Sequence, residues 1–347
     1  MLAPFLLGLF KYPKNRFARS LPEVFLAGVL VIFFLVFGGY SIDAWRYLTR
    51  FTHDPLSFAE EWLFWVVGHS LSELLPNPWP LRVLSAFAVG LWCLAVLRST
   101  SSQQREVRLW ALALIPLMPA FVFSLGNAVR QGLASVIILH AAIFLMDKKR
   151  WQFAFLSVLG VLVHEVSIVF VAAVAAMRMP MSWARAFLLI SPFVSFIAVW
   201  TFAKFDVDLA SYVRYAGYDE GAFHYLKFAV YFSLANGLLF FSARRAESDH
   251  FHLMIKAFAL TVGFASLLLV YEVPFERMVL YSDVLLPVML AMSVVNLKLG
   301  VLGRTWLVGG LLALGFAFWT SDSVQITLTE GVIHAQEGWI KFYKIPE

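Results

Sequence analysis

Long apolar runs recur from Pro22 to Thr320, each closed by a short group of charged or turn-forming residues. Runs of about 20 apolar residues are long enough to cross a bilayer core as helices. The pattern therefore predicts an all-α, polytopic integral membrane protein. The expected spans are Pro22 to Tyr40, Leu81 to Leu97, Leu109 to Leu125, Asn127 to Asp147, Trp183 to Ala203, Phe223 to Ser242, Met254 to Tyr271, Met278 to Asn296 and Trp306 to Thr320. The segment Trp151 to Met177 allows two readings: one long span, or two half-helices that enter, turn near His164 and return.

The basic residues favour the second reading. Lys11, Lys14, Arg16 and Arg19 precede the first span and place the amino terminus, residues 1–20, on the cytoplasmic side. A broken segment then puts Arg178, Arg185, Arg244, Arg245, Lys298 and Arg304 inside as well, whereas a single span puts all six outside. The expectation is thus about nine full spans plus one re-entrant pair, ten to eleven membrane segments in a single domain of residues 1–347. A backbone break at membrane depth is tolerated only where protein or water covers it, so the turn at His164 should face a cavity. Residues 41–80 should lie outside, with Trp62 to Leu75 as a short helix in the membrane plane and Pro76–Pro80 breaking the chain after it. An outside loop (204–222) and a polar tail (321–347) complete the arrangement, and no loop is long enough for a soluble catalytic domain.

Composition agrees with this. Sixty-one per cent of the 347 residues are hydrophobic and 14% are charged, against about a quarter charged in soluble domains. The 34 Phe and 12 Trp suit lipid-facing surfaces and interfacial belts. A net charge of +5 arises mostly in turns between spans and is no nucleic-acid signal. The single cysteine, Cys93, lies within an apolar span and reads as core packing. The opening MLAPFLLGLF lacks a basic stretch ahead of it and reads as an interfacial segment, not a signal peptide.

Against this background the ionisable residues in apolar surroundings stand out, because each costs about 2.5 kcal/mol or more at membrane depth. Arg130 and Gln131 follow Asn127, a good cap, and so fall in the first turn of a helix. Free N–H groups and the helix dipole there favour an anion, and the Arg fork matches phosphate oxygens. His164 titrates near neutrality and suits acid–base work or phosphate binding. Glu165 beside it can orient His164, pair with an Arg, or act as the base itself. Arg277 and Tyr281 are four apart and share a helix face, as do Asp43 and Tyr47. With Arg46, these residues should converge on the outer face, where a lipid diphosphate is the natural anion. Blander readings exist for each: Arg130 snorkelling to lipid phosphate, Arg277 paired with Glu272 or Glu276, tyrosines in an aromatic belt, Ser167 as a cap. His164-Glu165 is no zinc-protease H-E-x-x-H, since Ile168 holds the second His position. Asp206 and Asp208 form a D-x-D, which reads as solvated loop charge.

Asn127-x-x-Arg130-Gln131-x-x-Ala134, a basic turn at Asp147–Arg150, and His164-x-x-Ser167-Ile168 together resemble the EpsG-type branch of the Wzy-like polysaccharide polymerases. Ser41-Ile42-Asp43-Ala44-Trp45-Arg46-Tyr47 is similar to that family's G-x-D-x-x-x-Y, with Ser41 in the Gly position, and Arg277 to Tyr281 to its late R-x-x-x-Y. The resemblance runs from about Leu21 to Asn296. It implies a GT-C-like membrane enzyme of the bacterial inner membrane with its site facing the periplasm. Such an enzyme moves a growing glycan from polyprenyl diphosphate to an incoming polyprenyl-diphosphate-linked oligosaccharide unit. His164, Glu165, Arg130 and Arg277 would be catalytic, and Asp43, Tyr47, Asn127, Gln131 and Tyr281 would bind substrate. The partners would be the lipid-linked oligosaccharide and the bilayer, with room for a chain-length regulator and none for nucleic acid; no metal or soluble cofactor is expected. A single-transfer membrane glycosyltransferase or glycan ligase, and a non-enzymatic transporter of lipid-linked glycan, remain as alternatives.

Overall fold

The computed structural model describes residues 21–37, 42–52, 61–99, 105–115, 118, 125, 128–204, 223–245 and 249–296. Among them regular structure is helical throughout. In chain order the helices are α1 (Leu21–Phe37), α2 (Ile42–Phe51), α3 (Trp62–Leu74), α4 (Trp79–Ser99), α5 (Arg105–Leu114), α6 (Val129–Met146), α7 (Arg150–Val163), α8 (Ile168–Ala176), α9 (Met181–Lys204), α10 (Phe223–Arg245), α11 (Asp249–Ser266) and α12 (Glu272–Asn296). By length and composition α4, α6 and α9 can each cross a membrane alone. Helix α1, α7 and the segment Glu165–Ala176 are apolar but shorter. Helices also stand at the expected spans Phe223 to Ser242, Met254 to Tyr271 and Met278 to Asn296. Of Leu109 to Leu125 only the first part is helical in α5, most of its second half lying outside the described residues, as do Trp306 to Thr320, residues 1–20, the 204–222 loop beyond Lys204, and the polar tail.

Helix α6 is the centre of the assembly. All but Arg130 and Phe144 of its residues are buried, with α4, α7, α12 and α8 packed around it. Helix α9 is its opposite: Trp183, Ile190, Phe193, Ile197 and Trp200 are all exposed, the signature of a helix facing lipid. In lipid no hydrophobic force drives helix to helix, so close packing must do so. Gly160 of α7 supplies it. A methyl group there would lie 2.8 Å from Ile138 Cγ1, so the missing side chain is what lets α7 lie against α6. Polar contacts tie other helices. Trp92 of α4 donates its ring N–H to the Val284 carbonyl of α12 at 2.9 Å, and Tyr231 of α10 donates to buried Asp283 of α12.

The segment between Arg150 and Met177 is broken, as the charge argument favoured. Helix α7 stops at Val163, His164 takes an extended backbone (φ −153°, ψ 109°), and Glu165–Ser167 form one 3-10 turn before α8 begins. The chain then goes back the way it came: the Arg178 guanidinium donates to the Leu145 carbonyl at the far end of α6. Ser167 stands at the cap position of α8, but its buried hydroxyl makes no capping bond.

Two boundaries differ from expectation. Helix α6 has Ala128 at its cap position, one residue beyond Asn127, which lies outside the described residues. Arg130 remains in the first turn. Helix α12 begins at Glu272, so Glu272–Arg277 are its opening turns and not a loop. Pro274 permits this because the first four N–H groups of a helix need no intrahelical acceptor.

Candidate functional site

The chain brings the first turn of α6, the break between α7 and α8, the start of α3 and the opening turns of α12 to one place. The centre is Glu61, the residue just before α3. One carboxylate oxygen accepts from the Arg130 guanidinium and the other from His164 Nδ1. Glu61 is 7% exposed, Arg130 21% and His164 11% at the side chain. The backbone N–H of Glu165 also reaches the Glu61 carboxylate. Burial pushes the Glu61 carboxyl up, but the His164 hydrogen bond, the Arg130 charge and the Glu165 N–H outweigh it and hold it below the usual carboxylate range.

Glu61 sits in a left-handed backbone conformation (φ 58°, ψ 30°). For a residue with a Cβ this costs about 1–3 kcal/mol and persists where surrounding contacts enforce it. Here the enforcing contacts are the ones to Arg130 and His164. Two aromatic rings complete the setting of Arg130. Its guanidinium carbon lies 5.6 Å from the Trp65 ring centre and 6.0 Å from that of Tyr47, and Trp65 and Tyr47 also pack on each other.

His164 stacks on Tyr281 with ring centres 6.4 Å apart and planes 20° from parallel. Tyr281 is 1% exposed, packs on Phe170, and its hydroxyl has no hydrogen-bond partner among the described residues. Gln131 donates its amide to the Arg277 carbonyl, pinning α12 to the start of α6. The Arg277 side chain is itself exposed, and its charge acts on the His164 ring.

Of the residues expected at the site, Arg130, Gln131, His164, Tyr281, Tyr47 and Arg277 therefore gather around one point. Glu165 contributes its backbone; its side chain is exposed. Asp43 lies at the second position of α2 with its side chain outside the described residues, as is that of Arg46, and Asn127 lies outside them altogether. Glu61 was missed. It stands 69 residues from Arg130 and 103 from His164, in a polar stretch with no motif. The signal available was that a buried Arg requires a counter-charge, and Glu61 directly precedes an apolar helix. No group of three or more His, Cys, Asp or Glu able to hold a metal occurs among the described residues.

An Arg on a helix start, a histidine whose tautomer is fixed by a carboxylate, and a buried tyrosine hydroxyl, all on apolar helices, define a helical membrane protein with a polar site suited to an anionic substrate. The EpsG family model matches residues 22–331, and the chain belongs to the EpsG family. Membership points to a polysaccharide-polymerase-like function on a lipid-linked saccharide within a membrane. No curated protein and no solved structure matches the chain.

Proposed function

We propose that the protein polymerises a bacterial surface polysaccharide, transferring a growing glycan from polyprenyl diphosphate to a lipid-linked repeat unit at the periplasmic side of the inner membrane. The observation that carries this reading is the Glu61 carboxylate shared between Arg130 and His164.

The reaction forms a bond between an acceptor sugar oxygen and the anomeric carbon of the growing chain. It breaks the bond from that carbon to diphosphate, the leaving group takes the electron pair, and the acceptor hydroxyl loses its proton. A base and a charge stabiliser are the two needs. Because Glu61 accepts from Nδ1 of His164, Nε2 is the nitrogen left with a lone pair, and it takes the hydroxyl proton. The carboxylate then steadies the imidazolium, as a hydrogen-bonded acid does beside any catalytic histidine. Arg130 lies on the other oxygen of the same carboxylate, in the first turn of α6, where backbone N–H groups and the dipole add to its charge. It holds the diphosphate, with Arg277 as a second cation on the α12 side. The Tyr281 hydroxyl, buried and without a hydrogen-bond partner among the described residues, is a further donor beside the His164 ring. Glu165 positions Glu61 through its N–H, and Asp43, Tyr47 and Asn127 line the approach.

The test is product length on a gel, in a strain lacking the protein and supplied with wild type, Arg130→Ala or His164→Ala at matched expression. A ladder from wild type and single lipid-linked units from both variants is expected. One added unit from wild type identifies a single-transfer enzyme, and a ladder from both variants removes the site from the chemistry.

A further inference from the structure

The end of α6 opposite Arg130 carries a second concentration of cations, and part of it is hollow. A cavity of about 280 Å3 is lined by Arg98, His140, Ile143, Phe144, Asp147 and Lys149. It lies between the last turn of α4, the last turns of α6 and the start of α7. Arg98 and Lys149 both approach the Phe144 ring, at 5.9 Å and 5.6 Å from its centre. Neither forms an ion pair among the described residues. The one carboxylate in the lining, Asp147, faces His250 of α11 at 3.9 Å. His140 is buried and donates Nε2–H to the Leu91 carbonyl at 2.8 Å, which fixes the ring at the cavity's inner wall. Both cations are exposed at the mouth of the cavity, with Asp147 the only anion in its lining.

The cavity's position limits what that anion is. Helix α6 has 18 residues and is therefore about 27 Å long, close to the roughly 30 Å of a bilayer core. Its two ends thus lie near opposite membrane surfaces. The cavity lies at the end of α6 that bears Lys148, Lys149 and Arg150, at headgroup depth, and its volume is just below the roughly 300 Å3 at which drug-sized ligand pockets begin, room for a small headgroup only. Basic pockets between membrane helices accept phosphate headgroups.

We propose that this cavity is a binding site for a phosphate-bearing anion, held by Arg98 and Lys149 against Phe144, at the membrane face opposite the Arg130 site. Phosphate fits a lining that holds two cations because it offers several acceptor oxygens. The claim does not depend on the polymerase reading, and its test does not use activity.

The experiment is thermal unfolding of the purified full chain in phosphatidylcholine nanodiscs, with phosphatidylglycerol replacing the neutral lipid stepwise in one arm and inorganic phosphate added in the other. Wild type should be stabilised in at least one arm. A rise with phosphatidylglycerol alone identifies a lipid headgroup as the source; a rise with inorganic phosphate identifies a soluble phosphate ester. Arg98→Gln with Lys149→Gln should lose the rise, with apparent affinity falling roughly fivefold per cation, the weight of one basic side chain at an anionic surface. Arg150→Gln, an exposed cation outside the lining, should keep it. Lys149→Gln alone carries the test if the double variant does not assemble. The proposal fails if wild type gains nothing in either arm, if the cavity variants respond as wild type does, or if Arg150→Gln loses the effect equally.

Discussion

Replacing Glu61 by Gln keeps the shape of the side chain and removes its charge. Two groups then lose their partner at once. Arg130, about four-fifths buried at the side chain, is left without its counter-ion; uncovering a buried charge costs about 3–5 kcal/mol, and the remaining exposure of Arg130 places the loss at about 3 kcal/mol or less. His164 loses the acceptor that keeps its proton on Nδ1. A Gln amide can donate to Nδ1 as readily as accept, so Nε2 no longer has an assured lone pair. Positioned acid–base catalysis contributes about 10²–10⁴ in rate, and Glu61→Gln should forfeit at least the lower figure, about 10²-fold. The assay is initial-rate glycan extension by purified protein with lipid-linked repeat units, beside a thermal unfolding curve to separate rate from folding. Acidification should remove the carboxylate's contribution to stability as the substitution does. The Glu61 carboxyl is held below its ordinary range, so its stabilising effect is fully present above about pH 4.3, the unperturbed Glu value, and disappears as the pH falls through the lowered one. The reasoning is refuted if folded Glu61→Gln extends glycan at the wild-type rate, or if it loses activity only in proportion to the protein that unfolds.

Three further outcomes follow from the same contacts. Tyr281→Phe removes a buried, unpartnered hydroxyl, so the free protein should melt no lower than wild type, gaining up to about 1–3 kcal/mol, while glycan extension slows; a loss of stability would show the hydroxyl to be structural. At the left-handed Glu61 position, Glu61→Gly should be more stable than Glu61→Ala by about 1 kcal/mol in unfolding measurements, although both lose activity. Gly160→Ala places a methyl 2.8 Å from Ile138 Cγ1; it should force α7 from α6 and destabilise by about 1–3 kcal/mol, read as a lower melting temperature.

What the sequence disclosed and what it hid have physical reasons. Arg130 and His164 were conspicuous because charge inside an apolar run is expensive and must be justified by something. The turn at His164 was legible from cations that would otherwise stand on the wrong side, and the extended residue followed by one 3-10 turn realises it. Tyr281 was legible from its four-residue spacing to Arg277, but not its stacking on His164, which depends on how α12 meets the break. Glu61 was not legible. It precedes α3 in a segment where acids are unremarkable in composition, and only the packing of α3 against α7 turns it into the counter-charge of residues far along the chain. Glu165 drew attention by adjacency to His164; the extended backbone at His164 turns the next side chain outward and leaves its N–H facing the site. The start of α12 was hidden because Pro274 reads as a breaker unless it falls in a first turn, as it does.

The central claim is that this chain makes glycosidic bonds between lipid-linked units. The most direct measurement supplies purified protein in liposomes with a single polyprenyl-diphosphate-linked repeat unit as the sole substrate, and follows glycan length and free polyprenyl diphosphate together. The account predicts a ladder, one polyprenyl diphosphate released for every bond formed, and neither product from His164→Ala. Lipid-linked units that stay single, with no diphosphate lipid released by folded wild-type protein, would contradict it.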